Sequence, residues 1–229
     1  VIPLAGVPVA LAAGRPLPES HRFEEHQGQA PAQPRAGRVW LLAASGFLGA
    51  LFLAPASQFQ NEFLRDERGF SATSIAVFTL VTNTPGGLGV LIGGHLADVR
   101  GRRLVGSVAL VGGVALTVLM YLGDGWALWA FSVGAAVIGA ATIPALGVYG
   151  PELFPTAARG RVNGFITLIG VVGSSVGLLL AGSLSDDLGG LGQAMAVLAV
   201  GPALLVVLIL TAYPETAHRS LEELNPEDR

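Results

Sequence analysis

The sequence predicts an all-α polytopic membrane protein with six transmembrane helices, and three observations lead to that prediction. Of the 229 residues, 52% are hydrophobic and only 13% are charged, and the mean hydropathy is +0.61. Soluble domains carry about 25% charged residues. Six apolar stretches reach the roughly 20 residues that a helix needs to cross a bilayer. A short arginine-rich hairpin, residues 93–103, separates two of them.

The six apolar segments follow one another with short connections. They cover residues 39–57, 72–97, 104–122, 126–150, 162–184 and 191–213, so the bundle is expected over residues 39–213. Residues 60–70 predict a charged loop between the first two segments. The third and sixth segments contain almost no polar residue, which is typical of helices that face lipid. Residues 214–229 form a polar, acidic tail.

The chain before the first segment has two parts. Residues 1–13 are apolar, but as a helix they would reach only about 20 Å, which is short of a bilayer crossing. A signal peptide is the alternative, since Ala10-Leu11-Ala12 imitates a cleavage site, but no charged region precedes it. Residues 14–38 are polar and rich in proline, which predicts a cytoplasmic linker.

Arginine placement predicts the orientation. If the linker lies in the cytoplasm and six crossings alternate, only Arg65 and Arg68 of the 13 basic residues fall outside. The other basic residues face the cytoplasm, as the positive-inside rule requires. Both ends of the bundle are therefore expected in the cytoplasm. The membrane is expected to be the plasma membrane.

A weak internal repeat supports this topology. The pattern Gly94-x-Leu96-x-Asp98 ends the second segment, and Gly182-x-Leu184-x-Asp186 ends the fifth. A GxxxG pattern precedes each of them, at residues 89–93 and 173–177. Because the two ends lie on opposite membrane faces, the six helices are predicted to form two inverted three-helix repeats.

Four stretches in order along the chain resemble loop motifs of the major facilitator superfamily. They are Pro18-Glu19-Ser20-His21-Arg22-Phe23, the hairpin Gly94-His95-Leu96-Ala97-Asp98-Val99-Arg100-Gly101-Arg102-Arg103, Glu152-Leu153-Phe154-Pro155-Thr156-Ala157-Ala158-Arg159-Gly160, and residues 214–223. In the hairpin, Val99 stands where the family usually has a basic residue. The resemblance implies the C-terminal half of a twelve-helix transporter. Residues 1–13 are then the end of a truncated sixth helix, and the N-terminal half is a missing partner.

The resemblance lies with sugar porters and with metabolite and organic-ion carriers, and it implies a small polar solute. Sugar porters carry an amide-rich motif in the seventh helix, whereas here Gln58, Gln60 and Asn61 follow an almost featureless segment. Their tenth helix usually carries a tryptophan where Gly147 stands. A sugar substrate is therefore less expected than another metabolite or an organic ion.

Polar residues inside the segments are the candidates for the solute cavity. Pro85 and Pro144 interrupt their helices, and interrupted helices near the bilayer midplane are a common sign of a binding site. The alternative is that the hydroxyl groups bond to their own helix or to a neighbour. The candidates are Gln58, Thr82, Asn83, Thr84, Thr142, Ser174 and Ser175.

Charged residues of the motifs are expected together at the cytoplasmic face. Ion pairs among them can hold helix ends closed and break when the cavity opens inward, or they are solvated charges worth about 0–1 kcal/mol per pair. The predicted gating network is Asp98, Arg102, Arg103, Glu152, Arg159, Arg161, Glu215 and Arg219.

Several other functions find no support in the residues. No acidic or basic residue lies at a segment midpoint, so an acid for proton-coupled symport would have to lie in the missing half. No catalytic set indicates an enzyme, and no cofactor, metal or nucleic acid is expected. With no cysteine there is no disulfide or thiol chemistry. A non-transporting scaffold or sensor with the same fold remains the alternative to a secondary transporter.

Overall fold

The computed structural model describes residues 35–149, 153–154 and 156–214, except the side chains of Thr156, Ala157 and Arg159. Residues 1–34, which include the predicted remnant helix, and residues 215–229 of the tail lie outside this description. The regular elements of the described residues are helices: Ala36–Gln58, Gln60–Glu62, the π-helical turn Phe63–Glu67, Ala72–Asn83, Gly86–Arg100, Arg102–Leu122, Gly125–Ala140, Thr142–Leu146, Thr156–Leu188, Leu191–Leu198 and Val200–Ala212.

These helices form six spans that are long and apolar enough to cross a membrane, which confirms the predicted fold class. The first to sixth spans are Ala36–Glu67, Ala72–Arg100, Arg102–Leu122, Gly125–Leu146, Gly160–Leu188 and Leu191–Ala212. Their ends alternate between two faces of the bundle. The end that contains the hairpin glycine is called the Gly101 face below, and the opposite end is called the Arg68 face.

The expected loop at residues 60–70 is mostly helical, so that prediction is wrong. The first span continues through Gln60–Glu62 into the π-helical turn Phe63–Glu67. Phe63 and Leu64 are fully buried within this continuation. Removal of these large apolar side chains from water stabilises the extra turns, and charge in a sequence does not reveal such burial.

Tight turns join the spans at both faces. Gly101 joins the second and third spans with φ +92°, a conformation that glycine adopts without steric strain. Gly189 and Gly190 do the same between the fifth and sixth spans, with φ +84° and +148°. At the start of the second span, the Ser71 hydroxyl accepts a hydrogen bond from Ser74 N at 3.1 Å and caps the helix.

Glycine contacts show how the spans pair. A Cβ at Gly173 or Gly177 of the fifth span would collide with the backbone of Phe47 and Leu51 in the first span. A Cβ at Gly89 or Gly93 of the second span would likewise collide with Val137 and Ala141 of the fourth. In both pairs of spans, a contact four residues later in one span is made four residues later in the other. The two helices of each pair are therefore parallel.

The helix contacts follow the same two-fold pattern. The first span packs on the fifth and sixth, while the fourth packs on the second and third, and the third and sixth contact each other. The first helix of each three-helix repeat therefore packs against the second and third helices of the other repeat. This exchange is the arrangement expected of inverted repeats, and lipid offers little hydrophobic drive for helix association, so close glycine packing holds the middle together.

Large buried side chains lie near the two faces. Near the Arg68 face, Phe52, Phe63, Phe78, Tyr121, Leu128 and Met195 belong to one cluster. Near the Gly101 face, Leu42, Tyr149, Phe154, Val162, Ile209 and Tyr213 belong to another. The bundle is therefore fastened at both ends by aromatic and aliphatic packing.

Candidate functional site

The second span is interrupted near its middle. One helix ends at Asn83 and the next begins at Gly86. Pro85 lacks a backbone N–H, so it cannot continue the hydrogen-bond ladder. The carbonyl that loses its donor is that of Val81, four positions before Pro85. One position earlier, Leu80 O accepts the regular Thr84 backbone N–H at 3.2 Å and also the Thr84 hydroxyl at 2.5 Å. The helix break expected from Pro85 is present, and it places a polar turn inside the membrane.

Most of the candidate hydroxyl groups donate to carbonyls of their own helix. Thr82 donates to Phe78 O at 2.8 Å, and Thr142 donates to Gly139 O at 2.6 Å. Ser174 and Ser175 donate to carbonyls at 3.1 and 3.0 Å. These bonds match the alternative to a solute cavity, in which the hydroxyl groups bond to their own helix. Their protons are used within the helix, so a solute could meet only the remaining oxygen lone pairs.

Exposure separates the candidates further. Thr82 is fully buried, so its side chain is closed to a solute in this conformation. Gln58, Asn83, Thr84 and Ser175 are exposed on the bundle, and Ser174 and Thr142 are half-buried.

The position along each span separates them as well. Asn83 and Ser175 lie near the middle of the second and fifth spans, whereas Gln58 and Thr142 lie closer to the faces. Asn83 makes no hydrogen bond through its amide to any described residue.

The arginine hairpin contacts the sixth span within the described residues, and the predicted network as a whole stays a prediction. Arg103 reaches across to the sixth span and donates to Leu210 O. Asp98 is exposed and forms no ion pair with a described residue, so it does not pair with Arg102, four positions further along the chain. Arg161 is also exposed. Glu152, Glu215, Arg219 and the side chain of Arg159 lie outside the described residues.

Polar contacts at the Gly101 face join three spans. The Tyr213 hydroxyl donates to Ser45 Oγ at 2.8 Å, and Ser45 Oγ donates to Leu41 O at 2.8 Å. Burial raises the pKa of Tyr213, so its hydroxyl stays protonated and able to donate. The Tyr149 hydroxyl donates to Pro214 O at 3.1 Å, and the Tyr149 ring meets that of Tyr213 at 4.8 Å. Arg38 Nη1 adds a bond to Leu153 O at 3.2 Å.

The Arg68 face carries a network that the motifs did not indicate. Arg68 Nε lies 2.9 Å from Asp124 Oδ1, and its guanidinium donates to Gly123 O and Tyr121 O at 3.3 and 3.4 Å. Glu67 Oε1 accepts from Leu191 N at 2.9 Å, at the start of the sixth span. The only sequence signal was that Arg68 is one of two arginines on this face.

The packing and the arginine hairpin agree with a comparison against known families. The sequence model of the family described as "Major Facilitator Superfamily" matches residues 39–228 of this chain. The match covers the six spans except the first helical turn of the first span. The chain belongs to the major facilitator superfamily. As a member with six described spans, it is an integral membrane protein.

One curated relative of this major facilitator chain is a fungal protein. The MFS-type transporter lnaF of Aspergillus flavus is 25% identical over 226 residues, which cover 89% of this chain and 44% of that protein. The chain therefore spans less than half the length of this relative. Family membership points to a transporter and away from an enzyme.

Proposed function

We propose that this chain is the C-terminal half of a secondary transporter that moves a small polar organic solute across the plasma membrane by alternating access. The exchanged pairing of the spans is the observation that carries the proposal. In major facilitator transporters the solute lies near the midplane, between two halves that rock about it. A six-helix bundle supplies one wall of such a cavity.

The length of the fungal relative fits this proposal. A protein more than twice as long has room for a second bundle of six spans. The complementary bundle is then the partner of this chain, and the bilayer is its surroundings. The arginine count supports an orientation in which both ends of the six-helix bundle lie in the cytoplasm and the Gly101 face is the inner one.

Asn83 and Ser175 are the side chains that we assign to the solute cavity. Both are exposed near the middle of parallel-paired spans, and the Asn83 amide offers a donor and an acceptor. Amides and hydroxyls without a fixed charge suit a neutral or zwitterionic solute of the metabolite or organic-ion branch. A coupling proton would be carried by an acid in the other half, because no described span has an acidic residue at its middle.

The test compares vesicles that hold this chain alone with vesicles that hold the protein from the full reading frame containing it. We expect saturable uptake only from the full-frame protein, since alternating access needs both walls. In that protein, Asn83→Ala should raise KM at least several-fold. Thr82→Ser, a conservative change at a buried position, serves as the control.

Two results would contradict the proposal. Saturable uptake by this chain alone would show that it is a complete transporter or a dimer of halves. Absence of uptake by a correctly inserted full-frame protein, across sugars, carboxylates and amines, would favour the scaffold or sensor alternative.

A further inference from the structure

A cavity of about 330 Å³ lies between the second, third and fourth spans and ends at Arg100. Its floor is formed by Gly89, Gly93 and Ala141, and its walls include Ile92, Leu104 and Val108. Exposure of 55% at Ile92, 54% at Leu104 and 63% at Val108 shows that the groove opens sideways. The groove is therefore open along the side of the described bundle, where lipid would be its neighbour in a bilayer.

The length of the groove matches one leaflet of a bilayer. Gly89 lies close to the middle of the second span and Arg100 lies at its end. Eleven helical steps of 1.5 Å make about 16 Å, and half of a hydrocarbon core is about 15 Å. The apolar lining is thus long enough to reach from the midplane to the headgroup level of a bilayer.

Arg100 provides the one charge in this lining. It is exposed and has no hydrogen bond or ion pair to a described residue, whereas Arg103 beside it binds Leu210 O. Asp98 lies two positions away along the helix, and residues at that spacing do not face each other. The first turn of the third span begins at Arg102, and its free backbone N–H groups also favour an anion.

We propose that this groove binds an anionic phospholipid, with one acyl chain along Gly89 and Gly93 and the phosphate at Arg100. Ile92, Leu104 and Val108 would flank the chain above the close contact between the second and fourth spans. The guanidinium of Arg100, which has no partner among the described residues, complements the headgroup. Basic pockets between transmembrane helices are known to hold acidic lipid headgroups. The inference concerns lipid binding, so it stands independently of whether the protein transports a solute.

Native mass spectrometry of the detergent-purified chain tests this site with phosphatidylglycerol and phosphatidylcholine of identical acyl chains. We expect phosphatidylglycerol to bind more tightly. Arg100→Gln should weaken it about five-fold, the effect of one basic residue at a membrane surface, and should remove the preference. Arg100→Lys should keep the preference, which separates charge from folding.

Matched variants locate the site. Val108→Trp should fill the groove and weaken both lipids, while Leu91→Trp, at a 73% exposed position of the second span outside the groove, should leave both unchanged. Arg161→Gln removes another exposed arginine from the same face and should also have no effect. Equal binding of the two lipids to wild type, or equal losses in Arg100→Gln and Arg161→Gln, would overturn the proposal.

Discussion

Two adjacent residues on the Arg68 face each hold a different loop. Glu67 accepts from the first backbone N–H of the sixth span, and Arg68 binds the connection between the third and fourth spans. The Arg68 guanidinium also lies 4.6 Å from the centre of the Phe63 ring, where a cation is attracted by the aromatic face. Glu67 and Arg68 thus tie the connection between the first and second spans to the two other connections on this face.

The contacts of Arg68 predict that mutation of Arg68 and mutation of Asp124 lower the free energy of unfolding by different amounts. Arg68→Gln should lower the free energy of unfolding by about 2 kcal/mol, because it removes charge-assisted bonds to two carbonyls. Asp124→Asn should lower it by less than about 1 kcal/mol, since the Asp124 side chain is 80% exposed and solvent screens the pair. Denaturant unfolding in detergent, followed by helical circular dichroism, measures both.

Arg65→Gln is the matched control for this comparison. Arg65 lies in the same turn, is exposed, and has no partner among the described residues. It should unfold like wild type. A larger loss for Asp124→Asn than for Arg68→Gln would show that the ion pair, and not the carbonyl contacts, fastens this face.

At the scale of the helices, small residues determine which spans approach each other. The collisions that a Cβ would meet at Gly173 and Gly177 occur with backbone atoms of the first span, which cannot rotate away. The equivalent glycines of the second span, Gly89 and Gly93, meet the fourth span in the same way. The two GxxxG patterns are therefore the contact surfaces of the two parallel pairs.

Gly177→Ala should destabilise the bundle although alanine is the better helix former. The new methyl group would overlap Leu51 O, so the fifth and first spans must separate, with a loss of about 1–3 kcal/mol. Gly182→Ala on the same helix meets no atom within 4 Å and should be neutral or stabilising by up to about 1 kcal/mol. Unfolding in detergent compares the two, and equal stabilities would contradict the packing described.

For the whole molecule, orientation in the membrane is the first property to measure. Because the protein has no cysteine, single cysteines can be introduced without background. Asn61→Cys, on the Arg68 face, should react with a membrane-impermeant maleimide added outside intact cells, whereas Val99→Cys should react only after lysis. Both sites are exposed in the bundle. The reverse pattern would invert the topology.

A second property of the whole molecule is the role of Asp98 in gating. Asp98 has no ion pair within the described bundle, so under the proposed half-transporter arrangement its partner in the closed state lies in the proposed second half. In the full-frame transporter, Asp98→Asn should slow uptake, favour the inward-open form about ten-fold and leave the order of substrate preference unchanged. A ten-fold population shift corresponds to about 1.4 kcal/mol.

The repeat supplies a control for that prediction. Asp186 occupies the equivalent position at the end of the fifth span, on the opposite face and without the arginines. Asp186→Asn should leave the rate and the conformational ratio unchanged, as judged by labelling of a cavity cysteine. If Asp98→Asn instead reorders substrate preference at an unchanged ratio, Asp98 belongs to the solute site and not to a gate.

The membrane class, the number of spans and the family were all predictable from the amino-acid sequence. These properties depend on apolar length and on short motifs such as residues 94–103, which are local along the chain. Local patterns suffice here because each span must satisfy its own backbone hydrogen bonds in lipid, whatever its neighbours are.

The pairing of the spans and the partners of the polar groups became visible in the folded bundle alone. The burial of Phe63 and Leu64 converts a charged loop into helix, and Phe78 O takes the hydrogen bond of Thr82. Asp98 lacks the partner that spacing suggested, while Arg68 finds carbonyls on a connection more than 50 residues away in sequence. Side-chain partners depend on distances between separate helices, and these distances cannot be derived from the order of residues along the chain.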